Sequence, residues 1–306
     1  MKARPTSGRR AGRWLRTVVP VLFVVPALAT TPLIGATTAH AATPPNIMLI
    51  VEENQGFSQV IGNTKSAPYT NRLATTYASA TNWFGLTDTS LADYVALISG
   101  TTASYKSPTV VNELAAVSTS WKAYMEDAPS VCYTGGSTGH YTKTHNPFVH
   151  FKSITSKPAL CDRVVPFAGN FATDFSPTST TAPSFAYVVP NQCNDMHDSC
   201  APLKNPVKQG DQWLQSTMSA VLASPWYSSG GIVIITWDSA LTSDHSHWNT
   251  GTGGHVPTIV VSATSHGPFA SGGNHYGTLR AIEEAYGVTL LGASAAPANG
   301  DLTPAL

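Results

Sequence analysis

The chain has 306 residues, 11% of them charged and 42% hydrophobic, with 17 basic and 17 acidic side chains. Residues 1–41 hold Lys2, Arg4, Arg9, Arg10, Arg13 and Arg16 and no acid, which leaves eleven basic residues against 17 acidic ones, a net of about −6. A mildly acidic body without a basic stripe argues against a nucleic-acid binder, because phosphate neutralisation needs clustered Lys and Arg, and the hydrophobic content argues against disorder.

Residues 1–41 read as an export signal: a basic segment ending near Arg16, an uncharged apolar stretch from Val18 to about Ile34, and a small-residue site, Ala39-His40-Ala41, with cleavage expected after Ala41. The pair Arg9-Arg10 loosely resembles a twin-arginine signal. The alternative is an uncleaved membrane anchor, but Pro20, Pro26 and Pro32 interrupt the run. No later segment approaches the ~18 consecutive apolar residues that a span requires. Residues 42–306 are therefore expected to form one soluble domain outside the cytoplasm, with no stable membrane span.

Residues 46–51 form a short continuous apolar run, the pattern of a strand covered on both faces. It stops at Glu52-Glu53-Asn54. The same design recurs at 185–190, 231–238 and 256–261, and helix-like segments lie at 70–77, 91–98, 211–222 and 276–286. Strands alternating with helices predict an α/β fold, a mostly parallel sheet with helices on both faces. Active groups then gather beyond the carboxyl ends of the strands, where Glu53, Asn54 and Asp238 stand. Residues 130–180, rich in Gly, Ser, Thr, Pro and aromatics, read as long loops over one edge of the sheet. The four cysteines, at 132, 161, 193 and 200, imply two disulfides in an exported chain. Three pairings are possible, and Cys132–Cys161 with Cys193–Cys200 is the most local.

Ser90 lies in a polar turn, Thr87-Asp88-Thr89-Ser90, that leads into an apolar helix. Thr89 or Ser90 is thus a candidate helix cap. A hydroxyl at a helix start is also a sensible nucleophile, because the N–H groups and the dipole favour a phosphoryl group and a nearby cation lowers the hydroxyl's pKa.

Motifs in one order along the chain add to this reading. Ile50-Val51-Glu52-Glu53-Asn54-Gln55-Gly56-Phe57, Ser90-Leu91-Ala92-Asp93-Tyr94, Trp121-Lys122-Ala123-Tyr124-Met125-Glu126-Asp127 and Lys143-Thr144-His145-Asn146-Pro147-Phe148 come first. Pro190-Asn191-Gln192-Cys193-Asn194-Asp195-Met196-His197-Asp198, Thr236-Trp237-Asp238, Gly254-His255-Val256-Pro257-Thr258 and Asn274-His275-Tyr276 follow. The series resembles the bacterial phosphoesterase family of acid phosphatases and phospholipase C-type enzymes, within the alkaline-phosphatase-like superfamily. The resemblance implies that Glu53, Asn54 and Asp238 hold a divalent metal ion and that Ser90 attacks phosphorus to form a phosphoserine. It implies that His197 with Asp195, together with His145 and His275, contacts phosphate or moves protons to the leaving group. The substrate would be a phosphate ester or a phospholipid. Ser90 must then lie within about 8 Å of the metal-binding carboxylates.

Two positions depart from the family. Ser239 stands where a second acid usually follows Thr-Trp-Asp, which removes a negative charge from the metal's surroundings. Asp93 stands where an asparagine is expected to bind a phosphate oxygen, and an ionised acid there repels phosphate unless it is protonated or turned toward a metal. Asp244-His245-Ser246-His247 offers replacement ligands or is simply an exposed polar loop. Two rival functions remain. Gly135-Gly136-Ser137-Thr138-Gly139 matches G-x-S-x-G, the serine-esterase elbow, but lacks the strand and helix that the motif requires. A non-catalytic binding protein would instead use the seven Trp and eleven Tyr.

Overall fold

In a computed structural model, which describes residues 44–240, 244–249 and 251–306 together with positions 14, 15 and 17, the first apolar run forms Ile47–Glu52 (β1), buried at every position. The twin-arginine pair, apolar stretch and cleavage site of the expected export signal lie outside the described residues. The further strands are Ala78–Ala80 (β2), Trp83–Phe84 (β3), Trp121–Met125 (β4), Val164–Pro166 (β5), Phe185–Val189 (β6), Ile232–Trp237 (β7), Thr258–Val261 (β8), Gly267–Phe269 (β9) and Gly273–Asn274 (β10). Eight strands make one sheet in the order β5-β4-β6-β1-β7-β8-β2-β9, and β10 pairs with β3.

β1 runs parallel to both β6 and β7, and β4 runs parallel to β5 and β6. The expected mostly parallel sheet is present. β8, read from sequence as one more copy of the same strand, is antiparallel to β7 and β2. A parallel neighbour needs a crossover to carry the chain back, and the described residues between β7 and β8 contain no helix.

Alternate residues of the strands feed two cores. Ile47, Leu49 and Val51 pack with Val95, Ile98, Leu114, Leu279 and Ile282, from helices Ser90–Ser99, Val110–Ala116 and His275–Tyr286. Met48 and Ile50 face Leu73, Leu214 and Met218, from helices Pro68–Thr76 and Pro206–Leu222 on the other side. Each fully buried large side chain contributes roughly 1.5–3 kcal/mol, so both covered faces help fix where the strand ends lie. The four expected helices all form. All four start earlier than expected, two of them at Pro68 and Pro206, where a missing N–H costs nothing because first-turn donors lack partners anyway.

The middle of the chain differs from the expectation of long loops. It contains the edge strand β5 and the short helices Lys152–Thr155, Pro158–Cys161 and Phe167–Asp174. Three- and four-residue elements are too short to show a 3.6-residue period. Packing and the Cys132–Cys161 disulfide hold them in place, and the second disulfide is Cys193–Cys200. No helix among the described residues is long and apolar enough to cross a membrane.

Candidate active site

β6, β1 and β7 are adjacent and parallel, so their carboxyl ends open on one edge of the sheet. Glu52 pairs in register with Trp237, and the next residues, Glu53 and Asp238, therefore emerge side by side. Asn54 N and Ser239 N donate to Asp238 Oδ1 at 3.0 and 2.6 Å, which fixes that carboxylate against the end of β1. The loop after β6 brings Asp195 to the same place: its carbonyl accepts from Glu53 N at 2.7 Å. Glu126, at the end of β4, anchors this loop by accepting from Asn191 N and Asn194 Nδ2.

Ser90 is the first residue of helix Ser90–Ser99, and its Oγ donates to Glu53 Oε2 at 3.1 Å. The Asn54 N–H bond to Asp238 sets that carboxylate beside Glu53, on the side that Ser90 faces. Thr89 takes the cap position but its side chain makes no capping bond. The capping reading of Ser90 therefore fails, because its hydroxyl is spent on Glu53. Three pieces of chain around 53, 90 and 238 thus meet within hydrogen-bonding reach.

His145 is buried between Glu53 and Asp195, with Nε2 3.1 Å from Glu53 Oε1 and Nδ1 3.4 Å from Asp195 Oδ2. Neither contact is aligned as a hydrogen bond, and both carboxylate oxygens have no other partner. Burial lowers the His145 pKa to about 4, so this imidazole is neutral. The Tyr94 ring stacks on His145 at 5.2 Å between centroids. Sequence reading left Tyr94 inside a motif without a role, although its i+4 spacing from Ser90 puts both on one helix face. His197 sits at the rim with its side chain 35% exposed, and its ring pairs with Asp198 at 2.8 Å. Its backbone N–H donates to Asp195 Oδ1 at 2.8 Å.

The remaining expected residues are placed differently. Asp93 is fully buried and accepts from Leu86 N at 2.8 Å, Thr87 N at 3.2 Å and Thr87 Oγ1 at 2.7 Å. It ties down the turn before Ser90, which leaves its carboxylate engaged within the scaffold. His275 is fully buried and its Nε2–H donates to the carbonyl oxygen of Asp238. It braces the end of β7, and it lies 3.9 Å from Asp93. Helix His275–Tyr286 is capped by Asn274, not by His275.

Ser239, the missing second acid, donates its Oγ to Asn54 Oδ1 at 3.0 Å. Asp244 does not replace it. Its carboxylate closes its own loop through Ser246 and accepts from His255 N, while His245 faces Asp88. Ser137 is exposed and accepts from Lys143 N at 3.0 Å. It sits beside the small Thr138–Tyr141 bridge rather than on a strand-to-helix elbow, so the esterase reading has no geometry behind it.

Burial raises the carboxyl pKa of Glu53 well above the ordinary range, and Asp238 and Asp195 add to the shift. Asp238 is likewise raised by burial, against the lowering effect of the Asn54 N–H. Glu53 Oε1 and Asp238 Oδ2 are buried without hydrogen-bond partners. Buried acids without partners are costly unless a cation meets them. With the Asn54 amide and the Ser90 hydroxyl, the donor set is all oxygen, which suits a hard or borderline divalent ion. A softer alternative does not exist at His140, Cys193 and Cys200. Their ligand atoms cluster among the described residues, but both sulfurs are joined as a disulfide.

The sequence pattern of the Phosphoesterase family matches residues 63–289. The chain belongs to that family. Glu53 and Asn54 lie just upstream of the matched segment. A phosphatidylinositol-3-phosphatase from Mycobacterium tuberculosis (strain ATCC 25618 / H37Rv) is 29% identical over 89% of this chain and 87% of its own length. A phosphate-repressible acid phosphatase from Penicillium chrysogenum is 24% identical over 72% of this chain, which spans only 55% of that protein. Among solved structures, an alkaline phosphatase superfamily protein from Vibrio parahaemolyticus superposes with a TM-score of 0.57 at 13% identity, covering 83% of this chain and 70% of its own. A phosphonate monoester hydrolase from Silicibacter pomeroyi gives 0.52 at 10% identity, covering 84% and 77%. The fold of this phosphoesterase is alkaline-phosphatase-like, and the chain is a hydrolase acting on phosphoric ester bonds.

Proposed function

We propose that this phosphoesterase is a metal-dependent phosphatase that cleaves phosphate monoesters through a phosphoserine at Ser90. It is exported, with residues 1–41 removed and 42–306 as the working domain. The observation that carries the reading is the Ser90 hydroxyl held 3.1 Å from Glu53, whose neighbour Asn54 is bonded through its N–H to Asp238. The relatives are named as phosphatases, which favours monoesters over phospholipid diesters. The two disulfides agree with a compartment outside the cytoplasm.

Ser90 Oγ attacks phosphorus, and its proton passes to Glu53 Oε2, which it already faces. The P–O bond to the alcohol breaks, and the departing oxygen takes a proton from the rim, where His197 stands. Water then cleaves the phosphoserine, with Glu53 returning the proton to Ser90. First-turn N–H groups of helix Ser90–Ser99 offer donors to the phosphoryl oxygens. A divalent ion held by Glu53, Asp238 and Asn54 would neutralise charge and lower the hydroxyl's pKa. His145, His275, Asp195 and Asp93 hold these groups in place.

The test is p-nitrophenyl phosphate hydrolysis with and without chelator, beside Ser90→Ala. The rate should fall at least about 10³-fold in Ser90→Ala, the loss expected when a nucleophile is removed. Rapid-quench mass spectrometry should find phosphate on Ser90. Activity that survives both chelation and Ser90→Ala would overturn the proposal.

A further inference from the structure

Cys193 and Cys200 are seven residues apart, and their bridge encloses Asp195, His197 and Asp198. This short loop holds the site from behind. The Asp195 carbonyl accepts from Glu53 N at 2.7 Å, and the Met196 carbonyl accepts from Gln55 Nε2 at 3.0 Å. The disulfide is not sealed in the core. Both cysteines line an open cavity of about 450 Å³, together with His140, Asn194 and Gln209. His140 Nδ1 lies 3.3 Å from Cys193 Sγ. The other bridge also joins a buried cysteine, Cys161 at 2% exposure beside 5% for Cys193, to a half-buried one, but Cys132 is bonded through its N–H to Val164 of edge strand β5.

We propose that Cys193–Cys200 is a thiol-exchange site, and that a dithiol reductant entering this cavity opens the loop and lowers catalysis. A thiolate of the reductant attacks Cys200 Sγ, forming a mixed disulfide as the Cys193–Cys200 bond breaks. Cys193 leaves as a thiolate and takes a proton from His140 Nδ1, which is reprotonated from solvent. The second thiolate of the reductant attacks its own sulfur in the mixed disulfide and releases Cys200, which is protonated by solvent. Two electrons move: the dithiol becomes a disulfide and the protein disulfide becomes two thiols. With the bridge open, Asp195 and Met196 are free to drift, and Glu53 and Gln55 lose a fixed partner. A 1 Å displacement in a catalytic group costs about 10²-fold in rate. The loss of catalysis rests on Glu53 acting at Ser90. The exchange itself does not.

The experiment uses the oxidised mature protein and dithiothreitol under native conditions, with timed iodoacetamide labelling mapped by peptide mass spectrometry. Cys193 and Cys200 should be labelled at least about tenfold sooner than Cys132 and Cys161, as attack follows access. Hydrolysis of p-nitrophenyl phosphate should fall in step and return on reoxidation with oxidised glutathione. His140→Ala should slow the reduction several-fold and leave the oxidised activity intact. Cys193→Ser/Cys200→Ser should be fixed at the reduced level and indifferent to dithiothreitol, and wild type alkylated at those two thiols replaces it should it not fold. Equal labelling of both bridges, or full activity with Cys193 and Cys200 reduced, overturns the proposal. An oxidised protein with no phosphatase activity counts against the proposed function alone. In that case hydrogen exchange over 190–198 decides: faster exchange on reduction supports the clamp, and unchanged exchange overturns it.

Discussion

Replacing Glu53 by glutamine tests the site through stability as well as rate. Glu53 and Asp238 follow paired strand residues, and Asn54 N donates to Asp238 Oδ1 at 3.0 Å, which puts their carboxylates on the order of two hydrogen-bond lengths apart, roughly 6 Å. At an effective dielectric constant of about 20, two like charges at that separation repel by about 3 kcal/mol. Glu53→Gln keeps an oxygen to accept from Ser90 and removes that repulsion. The direction with pH follows from the raised pKa of Glu53. A folded acid that binds its proton more tightly than the unfolded chain contributes stability only below the unfolded value, and loses it as pH rises. In chelator, wild type and Glu53→Gln should therefore melt together near pH 4 and diverge toward neutrality. At about 2–4 °C per kcal/mol for a chain of this size, the variant should melt up to about 6–12 °C higher at pH 7.5. Saturating divalent ion should reverse the order, because wild type gains more from binding, and activity should fall about 10²-fold or more. Differential scanning fluorimetry across pH, with and without chelator, reads the first effect, and p-nitrophenyl phosphate reads the second. A variant that melts at or below wild type in chelator at neutral pH refutes the claim that the fold forces two acids together.

Other outcomes follow from groups outside this pair. Glu283 is buried, accepts from Leu291 N and Ser294 Oγ, and is pushed by burial from 4.5 up to about 8. Its contribution is full below pH 4.5 and is lost as pH rises to about 8, so Glu283→Gln should match wild type in melting at pH 4.5 and exceed it at pH 8.5, by up to about 5 kcal/mol. A constant gap across that range would show that Glu283 does not titrate as described. Ser137→Ala should leave hydrolysis of both p-nitrophenyl phosphate and p-nitrophenyl acetate unchanged and shift stability by no more than about 0.5 kcal/mol; a lost esterase activity would revive that motif. Ser239→Asp should lower the melting temperature in chelator and enlarge the rise on adding a divalent ion. A third charge within about 6 Å adds roughly 3 kcal/mol of repulsion in the ion's absence, and an unchanged response to metal would place Ser239 outside its reach.

How much of this was legible in the sequence depended on the kind of signal. β1 and β7 were readable because a strand buried on both faces must be continuously apolar, and their polar successors marked the edge where Glu53 and Asp238 meet. β4 was quoted only as a motif, since Lys122 interrupts its apolar character. The structure accommodates that lysine by pairing it with Asp174 at 2.6 Å. The direction of β8 was hidden for another reason: an apolar run says that a strand is buried, not which way it points. Residues 143–166 form elements too short for any period to register, and Phe167–Asp174 is broken by non-helical backbone at Ala168 and Gly169. Ser90 stood out because a hydroxyl at a helix start is chemically distinctive, yet the partner that draws its hydroxyl away from capping, Glu53, is 37 residues away.

The two departures from the family, Asp93 and Ser239, show why a motif position does not reveal its task. Asn54 has a positive φ of 45°, a conformation that asparagine tolerates better than most residues, and Ser239 Oγ bonds its side chain there. Asp93 ties the 86–87 turn to the helix that presents Ser90. Neither residue leaves a gap: Ser239 donates to Asn54, and Asp93 accepts from the turn that precedes Ser90. The same division runs through the other motifs. Glu53, Asn54, Asp238 and Ser90 meet one another, whereas His275 braces the Asp238 carbonyl and Asp195 braces the Glu53 N–H. Both kinds of residue sit at strand ends and helix starts, so position along the chain cannot separate them. An acid at 93 would repel phosphate only if it faced the ligand, and its four hydrogen bonds from Leu86 and Thr87 turn it into the scaffold instead. Replacing the second acid by Ser239 has a different consequence. It leaves two carboxylates and neutral oxygens at the proposed cation site, a less negative cage in which each remaining charge would matter more.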